Sequence, residues 1–439
     1  MQAIVLAAGA GTRLARGPKA FVPLLGLTLA ERCVLALSRA GLHEFVIVVG
    51  AGAQAAHQAL VNRLARRGLR VTLVRNEAWH RGNAISALAA RAVARDRFIL
   101  AMADHVFDPG LVASLLASPA EFAVIVDRRP RYVRWDEATH VRVEGGRVID
   151  ARKGLEAADG VDAGLFVSSA GIFDTLEAAA AEGVESWSEV FARMRPAAVW
   201  TEGAFWIDVD TAEDYARAEK LLLSRLGKAE DGPVSRYLNR PISRRISRHL
   251  VATRVRANTI SAASFLLSAA AGFAFGFADT WAAAALAGVL AQFASIIDGV
   301  DGEIARLRFE ESQSGGWLDA VLDRYADVIV LGGIAWGASA AGAYVWLVAV
   351  AAILGAMAVS YTAARYEAAF RAPGPWIRGA IHAKRDTRLF VVLVGGLVNA
   401  PLLTLLTIAV LSHAEVVRRL LVTSRAVPHV GPHGPPPRF

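Results

Sequence analysis

Between residues 298 and 323, two short segments carry four aspartates at helical spacing. Asp298 and Asp301 are three apart and Asp319 and Asp323 are four apart, so each pair falls on one face of its own helix. Both pairs border long apolar stretches, and an unpaired acid at membrane depth costs about 2.5 to 3.5 kcal/mol even on the lenient insertion scale. Something cationic must offset these charges. Hard divalent ions such as Mg²⁺ or Mn²⁺ take oxygen ligands and bridge diphosphates, while a carboxylate with a free lone pair accepts a proton from an attacking hydroxyl. The constellation suits phosphoryl transfer. A proton or cation path through the membrane, and plain helix-end aspartates, are the rival readings of the same spacing.

A second constellation opens the chain. Leu6-Ala7-Ala8-Gly9-Ala10-Gly11-Thr12-Arg13-Leu14, followed by Pro18-Lys19, sits between a strand-like run and a helical one. Glycines let the backbone approach phosphates and present its N–H groups, and Arg13 and Lys19 are placed to neutralise a triphosphate.

The elements that must position these groups differ along the chain. Up to about residue 220, short apolar runs such as 45–49, 71–74 and 98–102 alternate with helical patterns, which implies a mostly parallel sheet covered by helices. Residues 228–233 read as a linker, and 240–250, with Ile242, Ile246 and Leu250 four apart among arginines, as an amphipathic helix suited to a membrane surface. Six apolar stretches follow, near 259–276, 281–297, 317–338, 344–364, 389–398 and 402–411. The last two are short enough to be one span interrupted at Asn399-Ala400-Pro401. With six crossings, the turns near Asp279, Ser339 and Asn399 carry no Lys or Arg. The opposite loops hold Arg306, Arg308, Arg365, Arg371, Arg378, Lys384, Arg385 and Arg388, and Arg418, Arg419 and Arg425 follow. The positive-inside rule then puts both ends in the cytoplasm.

Composition agrees. A chain of 439 residues has room for two or three domains, and an apolar share of 54% with mean hydropathy +0.38 lies above the soluble norm. The single cysteine, Cys33, excludes an intrachain disulfide, and the first eight residues lack the basic and apolar regions of a signal peptide. Net charge is +8, yet no basic stripe is interleaved with aromatics. Nucleic acid is therefore not an expected partner, whereas anionic headgroups and phosphorylated substrates are.

Residues 298–323 match, in every fixed position, the signature D-x2-D-G-x2-A-R-x8-G-x3-D-x3-D, and so resemble the CDP-alcohol phosphotransferase family. The resemblance implies that Asp298, Asp301 and Asp319 ligate metal, with Asp323 as a further ligand or the general base. It also implies that Gly302, Ala305, Arg306, Gly315 and Asn258 surround the cytidine nucleotide. Ser261 stands where that family commonly has threonine. An inner-leaflet phosphate pocket is expected from Arg365, Lys384, Arg385 and Arg388.

The N-terminal run with its Pro-Lys pair resembles the sugar-phosphate nucleotidyltransferases, which implies a Rossmann-like α/β fold. By that resemblance Leu6, Ala7, Ala8, Gly9, Gly11, Thr12, Arg13 and Lys19 bind nucleotide, Arg13 and Lys19 acting in catalysis. Gly82, Asn83 and Ser86 belong to a base-reading loop, Asp104 and Asp208 to a metal pair, and Lys153 to the sugar phosphate.

The whole chain is similar to the bifunctional inositol-1-phosphate cytidylyltransferase / di-myo-inositol phosphate phosphate synthase family. Segments Asp104-His105, Asp136-Glu137-Ala138-Thr139, Arg244-Arg245-Ile246-Ser247 and Lys384-Arg385-Asp386 support that likeness. It implies CTP and inositol-1-phosphate giving CDP-inositol, then transfer of inositol phosphate to a second inositol-1-phosphate with release of CMP. The expected layout is a cytoplasmic cytidylyltransferase domain at 1–226, a linker with a juxtamembrane helix at 227–257, a six-helix transmembrane domain at 258–426 and a disordered tail at 427–439. A homodimer in the cell (inner) membrane, with both active sites cytoplasmic, is implied too. The alternatives are another polyol phosphate, a lipid acceptor giving a phospholipid, or a transporter or scaffold with a nucleotide-binding head. Ala163, where threonine is expected, departs from the pattern.

Overall fold

The structure is a computed structural model that describes residues 1–9, 11, 14, 17–228, 231–372, 374–377 and 383–426. Thr12, Arg13, Arg378 and the 427–439 tail lie outside the described residues. The chain divides into two compact units, Met1–Leu222 and Leu223–Phe439.

In the first unit the strands are β1 (Gln2–Ala7), β2 (Pro23–Leu24), β3 (Leu27–Thr28), β4 (Glu44–Val49), β5 (Arg70–Arg75), β6 (Arg97–Met102), β7 (His105–Phe107), β8 (Ala123–Asp127), β9 (His140–Glu144), β10 (Arg147–Arg152), β11 (Gly160–Ser169), β12 (Ala197–Thr201) and β13 (Trp206–Asp208). The helices are α1 (Leu29–Arg39), α2 (Gln54–Ala65), α3 (Asn83–Leu88), α4 (Pro109–Leu116), α5 (Ile172–Ala181), α6 (Trp187–Arg193) and α7 (Ala212–Ser224). Nine strands form one sheet in the order β5-β4-β1-β6-β11-β8-β12-β10-β9. β1 runs parallel to β4 and β6, with Val5 opposite Ile47 and Ala101, whereas β11 is antiparallel to β6 and β8. β1 is a continuous apolar run, Ala3, Ile4 and Val5 all fully buried, because a central strand covered on both faces has no solvent side. From β1 the chain builds β4 on one side and later β6 on the other, so a crevice opens at the carboxyl ends of β1 and β6. The Gly9 loop and Asp104 follow those two ends.

The second unit is helical: α8 (Arg240–Leu250), α9 (Ala257–Gly276), α10 (Trp281–Arg308), α11 (Gln313–Gly337), α12 (Tyr344–Phe370), α13 (Arg385–Leu397) and α14 (Pro401–Ala426). Among the described residues, α9, α10 and α12 are long and apolar enough to cross a membrane. α11 carries Asp319, Asp323, Arg324 and Asp327, and α13 has 13 residues, short of the about 20 a span needs. The last two apolar stretches are separate helices. Asn399 turns the chain with φ 51° and Pro401 opens α14, where its missing N–H has no helical partner to lose.

Small residues let these helices approach closely. Gly333 of α11 lies so near the Gly272 carbonyl of α9 that no Cβ fits there. On α8 the most buried positions are Ser243 and Ser247, while Ile246 and Leu250 pack toward Ile260 of α9 and Val300 and Ile304 of α10. Ile246 and Leu250 of the apolar stripe thus meet protein, and the hydroxyls of α8 face inward.

Candidate active sites

At the crevice of the first unit, one cavity of about 340 Å³ is lined by Leu6, Ala8, Gly9, Gly82, Asn83, Ser86, Asp104, Asp208 and, exposed at its rim, Lys153. Ala7 lines an adjoining hollow with Gly9, His57 and Trp79. Gly11 lines neither. It forms the turn at φ +65°, where a Cβ would stand 2.8 Å from both the Gly17 carbonyl and the Lys19 nitrogen. That turn delivers Lys19, whose Nζ donates to Asp104 Oδ2 at 2.6 Å, to Asp208 Oδ1 at 3.1 Å and to Asp210.

His105 Nδ1 lies 2.9 Å from Asp104 Oδ1, and the ring stacks on Trp206 at 5.9 Å between centroids. Asp104, His105 and Asp208 offer ligand atoms within 4.8 Å of one another. Two carboxylates and an imidazole are a fitting donor set for a divalent ion. Burial alone would lower the Lys19 ammonium, but Asp104, Asp208 and Asp210 outweigh it and hold it above the lysine range. For Asp104, burial is overcome by Lys19 and His105, so it stays well below the carboxylate range. Asp208 is pushed up by burial and by Asp104. Two neighbouring carboxylates thus differ in character.

The polar groups of the expected base-reading loop hold the loop itself. Asn83 Oδ1 accepts from the Trp187 N–H at 2.7 Å, and Ser86 Oγ accepts from Asn76 at 3.0 Å. Sequence reasoning missed Asp210 as a partner of Lys19, although it stands two residues after Asp208. It also missed Asp162, a buried cavity residue that accepts from Gly164 N at 2.8 Å and Ser188 Oγ at 2.6 Å, and that burial pushes up.

In the second unit the aspartates converge. Asp298, Asp319 and Asp323 offer oxygens within 4.8 Å of one another. Asp301 lines the same cavity as Asp298 and Asp319 and accepts from Ser261 Oγ; Ser264 Oγ donates to Asp298 at 3.2 Å. An all-carboxylate set is the hard-oxygen environment that Mg²⁺ or Mn²⁺ takes. Arg385 lies against it, 3.0 Å from Asp298 and 2.7 Å from Asp323.

Two cavities flank this cluster. One of about 280 Å³ is lined by Asn258, Ser261, Asp298, Asp301, Gly302, Ala305, Arg306, Gly315 and Asp319, which gathers every expected nucleotide residue of this unit. The other, about 360 Å³, is basic: Arg324, Lys384, Arg385, Arg388 and Arg419 surround Asp323. Arg365 is exposed and lines neither. Position on a span does not tell which way a side chain faces, and Arg365 turns outward.

Three further groups escaped the sequence. Asp327 receives Arg388 Nη2 at 2.7 Å and Arg385 Nε at 3.4 Å, and its place one helical turn beyond Asp323 and two beyond Asp319 was the available signal. Arg419 donates to the Val359 carbonyl and, at 2.8 Å, to Glu415. Glu303, fully buried inside the signature, accepts from Arg240 at 2.8 Å, Ser243 at 2.8 Å and Ser247 at 2.7 Å.

Comparison with known proteins divides the chain in the same way. Residues 3–196 match the MobA-like NTP transferase domain, and 254–418 match CDP-alcohol phosphatidyltransferase. A relative from Rubrobacter xylanophilus, named bifunctional IPC transferase and DIPP synthase, is 41% identical over 96% of this chain and 96% of its own length. One of the same name from Archaeoglobus fulgidus is 38% identical over 91% of this chain and 79% of its own. A solved inositol-1-phosphate CTP transferase from T. maritima is 24% identical, with a TM-score of 0.45 covering 50% of this chain and 95% of that one.

Proposed function

The chain belongs to the family of bifunctional IPC transferase and DIPP synthase enzymes, and on that premise we propose that its two units catalyse consecutive steps of CDP-inositol chemistry. In the first, CTP lies along the Gly9–Gly11 turn, and Lys19 and Arg13 bind its phosphates. A phosphate oxygen of inositol-1-phosphate, held at Lys153, forms a bond to the α-phosphorus as the bond to pyrophosphate breaks. Asp104 and Asp208 hold the divalent ion, whose chemistry is to neutralise charge on the phosphates.

In the second step, CDP-inositol occupies the cavity of Asn258, Gly302, Ala305, Arg306 and Gly315. A hydroxyl of another inositol-1-phosphate gives its proton to Asp323 and bonds to the phosphorus next to inositol as CMP departs. Asp298, Asp301, Asp319 and Asp323 hold divalent metal, and Lys384, Arg385 and Arg388 bind the acceptor's phosphate. The observation that carries this reading is the pair of cavities on either side of one carboxylate cluster, one lined by signature residues and one by cations. A cationic pocket fits a phosphorylated acceptor better than a neutral alcohol.

On this reading α9 to α14 are six membrane crossings, with both sites and the N-terminal unit cytoplasmic. Arg306 and Arg308 in the last turn of α10, and Arg371 and Lys384 between α12 and α13, support that orientation. The exposed apolar faces of these helices fit lipid, and the homodimer rests on the family resemblance alone.

The test is purified full-length protein with CTP, Mg²⁺ and a panel of polyol phosphates. The reading requires pyrophosphate and CMP release with inositol-1-phosphate as sole alcohol, and loss of both with EDTA. Absence of CMP under those conditions rejects it.

A further inference from the structure

The two cavities of the helical unit share four lining residues: Lys228, Arg240, Asp298 and Gly299. Asp298 belongs to the carboxylate cluster and Gly299 follows it, so the shared wall is where the donor's phosphorus and the acceptor's hydroxyl would meet. The other two come from outside the signature. Lys228 is exposed and borders both cavities, which places an ammonium at the boundary the transferred phosphate must cross.

What fixes Lys228 there is a buried relay. Its backbone N–H donates to Asp231 Oδ2 at 2.9 Å, and the Asp231 N–H returns a bond to the Lys228 carbonyl at 3.0 Å. Arg240 grips Asp231 with both ends of its fork, Nε at 2.9 Å and Nη2 at 3.1 Å, and turns Nη1 to Glu303 at 2.8 Å. Glu303, with Ser243 and Ser247 on its remaining lone pairs, ties this relay to α10 two residues after Asp301. Arg240 is committed to two carboxylates and acts as a positioning residue. Lys228 has the charge left to act on substrate.

We propose that Lys228 is a catalytic residue of the second transfer, contacting the phosphate that passes from CDP-inositol to its acceptor, and that Asp231, Arg240 and Glu303 hold it in place. The inference rests on the assignment of the second reaction above. An ammonium there offsets charge that accumulates on the phosphoryl oxygens as the incoming O–P bond forms and the bond to CMP breaks.

The experiment measures CMP release by the full-length protein from CDP-inositol with inositol-1-phosphate, across concentrations of each. Lys228→Met should lower kcat by about 10- to 100-fold, with both KM values within about threefold, and Lys228→Arg should recover part of the loss. Arg240→Met, checked for a monodisperse elution profile, should show a similar fall, and the double variant should be no slower than Lys228→Met alone, because Arg240 acts through Lys228. Lys228→Met with undiminished kcat, or a loss confined to the KM of one substrate, overturns the proposal. Wild-type protein that releases no CMP overturns the underlying assignment as well.

Discussion

Asp327 is the sharpest test of the acceptor pocket. Its carboxylate is buried and receives Arg388 at 2.7 Å and Arg385 at 3.4 Å. Replacing it with Ala leaves the buried Arg388 with the Ala383 carbonyl, at 2.8 Å, as its hydrogen-bond partner among the described residues, and removes one of the three carboxylates around Arg385. Removing one partner of a buried ion pair costs about 3 to 5 kcal/mol. If that cost falls on acceptor binding, it is worth about two to four powers of ten. Asp327→Ala should therefore raise the acceptor KM at least about 100-fold in the CMP-release assay, with pyrophosphate release by the other unit unchanged. Combining it with Arg388→Met should recover about 1 kcal/mol or more relative to additivity, since the two side chains share one interaction. An unaltered acceptor KM, or fully additive losses, would refute the assignment of these cations to the acceptor phosphate.

Three further outcomes follow from the first unit. Asp104→Asn should cut pyrophosphate release by at least about 100-fold while leaving CMP release from supplied CDP-inositol intact, as two assays on one sample will show. Burial pulls the His105 imidazole down, but Asp208 and Asp104 outweigh it and raise it from 6.5 to about 9. A raised histidine stabilises fully below pH 6.5 and loses that contribution as pH climbs through 9, so metal-free protein should lose on the order of 3 kcal/mol across that window, and His105→Asn should flatten the slope in denaturant titrations. Cys33 is buried and its thiol is pushed up by burial and by Asp104; iodoacetamide should label it only after unfolding, and rapid labelling of native protein would contradict its packing.

How much could be read from the sequence depended on distance along the chain. Asp298 with Asp301, and Asp319 with Asp323, declare their shared faces through helical spacing alone, and the convergence of Asp298, Asp319 and Asp323 follows once α10 and α11 both pack on α9. The run after β1 and the aspartate after β6 come together because adjacent parallel strands end side by side. The relay from Lys228 to Glu303 was not legible. Ser243 and Ser247 meet Glu303 across 60 and 56 positions of sequence, and a Ser-rich basic helix reads equally well as a membrane-surface element. Arg365 illustrates the converse: being basic at the end of a span does not fix its direction, and it points away from the pocket where Arg388, buried beside Asp327, points in.

The cavities of about 360 and 280 Å³ beside the carboxylate cluster are distinct volumes meeting along one wall. Donor and acceptor can therefore reside on the protein together, and no side chain need carry the inositol phosphate between them. Turnover is then sequential: double-reciprocal plots at several acceptor levels intersect rather than run parallel. Labelled CMP should scramble into the donor only when an acceptor is present to complete the ternary complex.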